Sequence, residues 1–314
     1  MRIHLNDGMA ESAIKKFNDE LPEFTITNNH LEPEELKNEV KNIDILVVRS
    51  ATKVTREIIE AGKDSLKIIG RAGMGLDNID QLAAKEFGIE VLNTPGQNSL
   101  SVAELVVGMI LSIYRKLNRG TNGIREGLWE KKLLKGLELS NKNFGIIGFG
   151  NIGKHLSKLV SGFNDKVFVY DIYEISEEDK DNYNIEQVDL DYILKNCDII
   201  SLHIPHNEKT HHLISDKELN MMKKSALLIN CARGGVLDEE ALLKALEDEK
   251  ILGAGLDVFE KEPAKGEIYT KLLSFDNVVA TPHIGATTKE AQYRVGINMV
   301  ERIVNATKKI HFEK

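Results

Sequence analysis

Several things are scarce in this chain, and each scarcity removes a class of protein. Of 314 residues only Cys197 and Cys231 are cysteines, with no CxxC pair, so neither a disulfide framework nor a thiolate metal site is expected and a reducing cytoplasm is the expected location. Basic residues are outnumbered 41 to 49, for a net charge of −8 spread along the chain. Bulk electrostatics would therefore not hold a nucleic acid. The longest apolar helical stretch, Val102 to Tyr114, carries Glu104 and falls short of the ~20 apolar residues a bilayer span needs, so no membrane partner is expected. The N-terminus, MRIHLNDGMAES, reaches an Asn-Asp-Gly turn where a signal peptide would have an apolar core, and the chain is expected to stay where it is made. GxSxG and GK[ST] sequences are missing too, which removes the commonest hydrolase and NTPase readings.

What is present is regular alternation. With 42% hydrophobic residues and about 100–200 residues per domain, the length suggests two domains with sizeable cores. Short β-branched runs alternate with amphipathic segments, the pattern of parallel sheets covered by helices. Strands are expected at 2–5, 24–28, 44–48, 67–70 and 89–92, then at 143–147, 166–170, 198–202, 225–230, 251–256 and 277–280. Between the two sets, residues 99–119 read as one long helix, because Ser99 and Ser101 can cap it and apolar residues recur through Val106, Ile110, Ile113 and Leu117. Thr287 to His311 has helical spacing with no strand after it. That segment is expected to return to the first domain and make it discontinuous. The fold expected is α/β with two doubly wound parallel-sheet domains: a discontinuous flavodoxin-like one over 1–97 and 287–314, and a Rossmann one over 98–286.

Strand 143–147 runs directly into Gly148-Phe149-Gly150-Asn151-Ile152-Gly153 and then a helix. In that context Gly148 permits a tight turn, Gly150 lets backbone approach a pyrophosphate, and Gly153 lets helix and strand pack closely. The helix N-terminus presents N–H groups to phosphate. Eighteen residues after Gly153, at the end of VFVYD, stands Asp171. An acid there accepts from ribose hydroxyls and repels a 2′-phosphate, so the cofactor expected is NAD rather than NADP.

Three later strand ends carry unexpected charge: Arg233 in NCARGG, Glu262 in DVFEKEP and His283 in TPHIGA. Singly, each has an ordinary use as a surface charge, a loop acid or a structural imidazole. Together, at the sheet edge where open α/β folds bind ligands, they suit hydride chemistry on a hydroxy acid. Arg233 would grip a carboxylate by a two-point fork. His283 would take the alcohol proton as hydride leaves carbon, with Glu262 orienting the imidazole and raising its pKa. A separate group, His203, His206, His211 and His212, lacks the HExxH arrangement and cysteine partners at zinc spacing, so no metal is assigned.

These motifs, in this order and spacing, resemble the D-isomer-specific 2-hydroxyacid dehydrogenases over essentially the whole chain. The resemblance implies that Arg233 binds substrate, that Glu262 pairs with His283, and that His283 is the proton donor and acceptor. It extends the cofactor contacts from the glycines and Asp171 to Asn151, Ile152, Cys231, Ala232, Arg233, Asp257, His283, Gly285 and Ala286, with Asp257 on the nicotinamide side. It also implies a homodimer formed through the NAD-binding domain and the long helix. In the first domain, VVRSATKVT (47–55), RAGMGLDN (71–78), NTPGQNSLSVAEL and the run Trp129-Glu130-Lys131-Lys132 resemble the branch of the family that oxidises D-3-phosphoglycerate. A small phosphorylated hydroxy acid would then meet Arg49, Lys53 and Arg71, cations at strand ends, and backbone amides around Ala72 to Gly75, Gly73 included. Lys131 stands where some relatives use Arg to reach a neighbouring subunit's substrate, and Met74 and Ile204 where some carry Thr. Long relatives append a serine-sensing domain, and a chain ending at HFEK is not expected to be inhibited through one. The alternatives are reduction of unphosphorylated hydroxypyruvate or glyoxylate, and an NAD(H)-sensing binding protein like the corepressors that share this fold.

Overall fold

A computed structural model describes residues 1–163 and 166–312, so the last two residues of HFEK lie outside the described residues. The chain divides into two compact units, Met1–Asn98 with Ala286–Lys314, and Ser99–Gly285. These boundaries fall one residue from the expected ones.

The first unit is a five-stranded parallel sheet of β1 (Arg2–Leu5), β2 (Thr25–Thr27), β3 (Ile45–Val48), β4 (Ile68–Arg71) and β5 (Glu90–Asn93), ordered β2-β1-β3-β4-β5. Successive strand residues point to opposite faces. Ile3, Leu5, Ile45, Val47 and Ile68 pack with Phe17 of helix Glu11–Glu20 and with Met299 and Ile303 of helix Lys289–Phe312. Leu46, Val48 and Ile69 face Leu36, Ile59, Ala83 and Ala84 on the other side. The C-terminal helix thus belongs to this unit, and it lies so close to β4 that a Cβ on Gly70 would stand 2.8 Å from the Met299 sulfur. Arg49 and Arg71 fall at the carboxyl ends of adjacent strands, β3 and β4.

The second unit is a seven-stranded parallel sheet. Its strands are β6 (Phe144–Ile147), β7 (Val167–Tyr170), β8 (Ile185–Gln187), β9 (Ile199–Leu202), β10 (Leu227–Asn230), β11 (Gly253–Leu256) and β12 (Val278–Ala280), ordered β12-β11-β10-β9-β6-β7-β8. The order reverses between β6 and β9, the switch point at which such sheets bind dinucleotides. Near-continuous apolar runs fit strands covered on both faces: Ile147, Leu228 and Leu256 look one way, Phe144, Ile146 and Ile229 the other, the latter against Val106, Met109 and Ile110 of helix Ser99–Tyr114.

Two elements depart from expectation. β8 carries a single buried residue, Ile185, so this three-residue edge strand has no alternation to reveal it. The helix expected over 99–119 stops at Tyr114, Lys116 turns left-handed (φ 52°), and a second helix runs over Leu117–Arg125. The Tyr114 carbonyl accepts from the Leu137 N–H at 2.9 Å, and the Lys116 ammonium reaches the Leu133 carbonyl at 3.1 Å. A later segment therefore caps the helix, where local spacing would have continued it.

Candidate active site

The nucleotide turn follows β6. Gly148 has φ +99°, and a Cβ there would lie 2.6 Å from the His203 carbonyl oxygen, while one on Gly153 would lie 2.5 Å from the Gly148 oxygen. Both positions need glycine for space. Gly150 differs: a Cβ there would meet nothing within 4 Å, and it is the N-cap of helix Asn151–Val160 with no side-chain cap bond. An open cradle beside the uncapped first turn that includes Asn151 and Ile152 fits a pyrophosphate. Asp171, just past β7, accepts from the Phe149 N–H at 2.7 Å through one oxygen and from the Tyr173 N–H at 3.0 Å through the other. Each carboxylate oxygen keeps a second lone pair for a ribose hydroxyl. His203, at the same switch point, is held near pKa 3 by burial, so it adds no charge there.

Arg233, Glu262 and His283 follow β10, β11 and β12, three neighbouring strands of one sheet edge. His283 Nδ1 lies 2.9 Å from Glu262 Oε2, and both side chains are 40% exposed. The other carboxylate oxygen accepts the Phe259 N–H at 3.2 Å. Burial pushes the Glu262 carboxyl up, but the bond and charge of His283, the Phe259 N–H and the nearby Arg233 charge outweigh it and leave the pKa below its ordinary value. An ionised Glu262 fixes the proton on Nδ1 and leaves Nε2 as the nitrogen that can accept or give one. Arg233 is steadied by an Nη1 bond to the Ala232 carbonyl at 2.6 Å.

Beneath this pair lies Asp257, 1% exposed. Its carboxylate accepts the Thr281 hydroxyl at 2.5 Å and the Ile284 and Gly285 N–H groups at 2.8 Å each, and its carbonyl accepts the His283 N–H at 2.8 Å. Asp257 therefore builds the loop that presents His283, a task the sequence does not announce. Ala286, next after Gly285, begins the returning segment of the first unit. Asn230 does the same for Arg233: its side chain accepts the Ala232 N–H at 3.1 Å and donates to the Arg233 carbonyl at 3.0 Å. Cys231 and Ala232 are buried, and the Cys231 sulfur sits 3.8 Å from that of Met109. Burial pushes its thiol pKa far up, so the Cys231 side chain is core and only its backbone is left for a ligand.

In the first unit the loop after β3 is tied down from both sides. The Asp7 side chain, 4% exposed, accepts the N–H groups of Arg49 (2.6 Å) and Thr52 (3.2 Å) and the Thr52 hydroxyl (2.5 Å). Asn78 donates to the Arg49 and Thr52 carbonyls at 2.7 and 2.6 Å. Asp7 and Asn78 were not among the expected site residues, because their role appears only in the fold. Among the described residues, neither Arg49 nor the exposed Lys53 has an ion-pair partner. One expectation needs correction: the Ala72 N–H is spent on the Val48 carbonyl and the Gly73 N–H on the Arg71 carbonyl, both at 2.8 Å. Neither amide is available for a carboxylate, and the Arg71 guanidinium lies against the α-carbon of Gly73 instead.

Residues 107–285 match the family model described as D-isomer specific 2-hydroxyacid dehydrogenase, NAD binding domain. The chain belongs to this family. It is 51% identical over 302 residues to the hydroxypyruvate reductase of Thermotoga maritima, covering 96% of this chain and 97% of that one. It is 44% identical to the D-3-phosphoglycerate dehydrogenase of Methanocaldococcus jannaschii over 96% of this chain, but spans only 57% of that protein. Among solved structures, D-lactate dehydrogenase from Aquifex aeolicus, complexed with NAD and lactic acid, superimposes with a TM-score of 0.85 at 29% identity, covering all of this chain and 97% of that one. This dehydrogenase is therefore an NAD-dependent member acting on a D-2-hydroxy acid.

The remaining expected residue of the dehydrogenase, Lys131, is exposed and follows Trp129, which is 84% exposed, and Glu130, which pairs with Arg119 at 3.2 Å. Of the four histidines, His212 Nε2 binds Glu260 at 2.8 Å while its Nδ1 faces Asp238 at 3.7 Å. His212, Asp238 and Glu260 thus bring one ligand atom each within 4.8 Å of one another, a grouping that exposed acidic residues commonly form without an ion.

Proposed function

We propose that this dehydrogenase oxidises D-3-phosphoglycerate to 3-phosphohydroxypyruvate. Arg233 grips the carboxylate and polarises the adjacent carbon–oxygen bond. His283 Nε2 takes the C2 hydroxyl proton and returns it in the reverse direction, and the ionised Glu262 stabilises the imidazolium. NAD bound on Gly148–Gly153 and Asp171 supplies the hydride acceptor at its nicotinamide.

The observation that carries the phosphate is the loop after β3. A buried carboxylate and Asn78 hold it while, among the described residues, Arg49 and Lys53 have no acidic partner. Two cations on this loop suit a phosphoryl group, which needs both charge and several donors. The second reading, reduction of hydroxypyruvate or glyoxylate, is favoured by the Thermotoga relative, which matches this chain in length as well as sequence.

The deciding experiment is NADH oxidation with phosphohydroxypyruvate, hydroxypyruvate, glyoxylate and 2-oxoglutarate at equal concentrations. A strong preference for phosphohydroxypyruvate that disappears in Arg49→Ala is expected. Equal or better rates on unphosphorylated acids, unchanged by Arg49→Ala, would assign the second reading.

Assembly follows the family resemblance. We infer a homodimer through the NAD-binding unit, because Ile124, Leu128, Trp129 and Leu133 are 65, 47, 84 and 57% exposed along one segment, more apolar surface than a lone subunit normally leaves in water.

A further inference from the structure

Glu262 stands on an irregular loop after β11, yet its carboxylate has to meet His283 within a hydrogen bond, an interaction that weakens steeply with small displacements. Three consecutive backbone N–H groups of that loop are each captured by a side chain. Phe259 N–H donates to Glu262 itself at 3.2 Å, Glu260 N–H to Glu239 Oε1 at 2.9 Å, and Lys261 N–H to the Tyr269 hydroxyl oxygen at 3.3 Å. Tyr269 and Glu239 also lie close enough to shift each other's pKa. Both are buried, 5% exposed each, and the Tyr269 ring meets Phe259 edge-on with centroids 5.5 Å apart.

Below, the loop rests on bare backbone. A Cβ on Gly234 would collide with the Phe259 carbonyl, so the loop carrying Glu262 and the one carrying Arg233 pack main chain to main chain. From the outer side, His212 holds the Glu260 carboxylate at 2.8 Å.

We propose that Tyr269 and Glu239 are positioning residues for the Glu262–His283 pair, fixing the backbone at 260 and 261 so that Glu262 reaches His283 Nδ1. The inference rests on the reading of that pair as the proton-transfer machinery. Neither residue touches the pair among the described contacts; they act through the loop. Burial, aided by the nearby Glu239 carboxylate, pushes the Tyr269 phenol up to about 12. The hydroxyl therefore stays protonated, and its oxygen accepts from the Lys261 N–H. Burial and the charges of Glu260 and Glu262 push the Glu239 carboxyl up, against the Glu260 N–H and the Tyr269 hydroxyl. Of the charged groups, His283 and Arg233 favour the ionised Glu262, while Glu239 and Glu262 repel each other.

The test compares Tyr269→Phe, Glu262→Gln and the double variant in the full chain, using the fastest of the four 2-oxo acids above. Tyr269→Phe keeps the ring on Phe259 and removes only the hydroxyl. Its kcat is expected to fall about tenfold with KM for NADH unchanged. Its pH–rate limb is expected to move in the same direction as in Glu262→Gln, and the double variant to be no slower than Glu262→Gln alone, the non-additivity of residues acting through one group. Glu239→Ala, a second route to the same loop, is expected to show the same pattern. A wild-type pH profile in both Tyr269→Phe and Glu239→Ala, or a fully additive double variant, would overturn the inference while the pair stands. A wild-type profile in Glu262→Gln would overturn the pair itself, and this inference with it.

Discussion

His283 sits at φ 55°, a left-handed conformation that costs a side chain-bearing residue about 1–3 kcal/mol and persists only where its surroundings impose it. They do so here through Asp257, whose buried carboxylate gathers Thr281, Ile284 and Gly285 around the imidazole. The strain is local and the support is remote, which suits a group that has to be aimed. His283→Ala should lower turnover by ~10²–10⁴-fold, the range for loss of a general acid–base, while NADH binding by fluorescence titration survives. Retained turnover would take His283 out of its role. Arg233, Glu262 and His283 were legible in sequence because charge is conspicuous at the end of an apolar strand. Asp257 and Asn230 were not legible as scaffolding, since a buried Asp or Asn looks the same whether it binds a ligand or a neighbouring loop.

At the scale of elements, the strand–turn–helix at 144–160 follows directly from its residues. An apolar run, three glycines and an amphipathic helix each specify a local geometry, and the three agree. Gly148→Ala tests that agreement: with φ +99° and the His203 carbonyl 2.6 Å from the new methyl, the variant should lose about 1–3 kcal/mol of stability in thermal or denaturant unfolding. It should also lose most of the upward Tm shift that NADH gives the wild type. A normal Tm with a full NADH shift would mean that the turn relaxes without harm. The helix expected over 99–119 shows the opposite case. Its apolar spacing continues past Tyr114, but the N–H of Leu137 takes the Tyr114 carbonyl and ends it, and helical period carries no information about such a visitor. β8 escaped detection for a related reason, because one buried residue in three makes no pattern.

At the scale of the whole molecule, the exposed apolar segment 117–137 makes assembly a testable matter. A stable interface removes roughly 800 Å² from each partner, and burying such a surface strengthens association in proportion to its apolar area. Sedimentation should therefore report a dimer for the wild type, and a monomer with unchanged circular dichroism for Ile124→Asp combined with Leu128→Asp; a wild-type monomer would refute the assembly. The sequence by itself determined the two parallel sheets, the nucleotide turn with its acid, the trio at three strand ends and the helix that returns to the first unit. All of these rest on periodicity or on chemistry within a few residues. Only the tertiary structure decided how polar groups are spent. It committed the Ala72 and Gly73 amides to neighbouring carbonyls, turned Cys231 into core, clamped the Arg49 loop with Asp7, and framed Glu262 with Glu239 and Tyr269. The physical reason is range. Hydrophobic period is written into adjacent residues, whereas a buried hydrogen bond is made with whatever donor the fold brings within about 3 Å, as between Asp7 and Arg49, 42 residues apart in the chain.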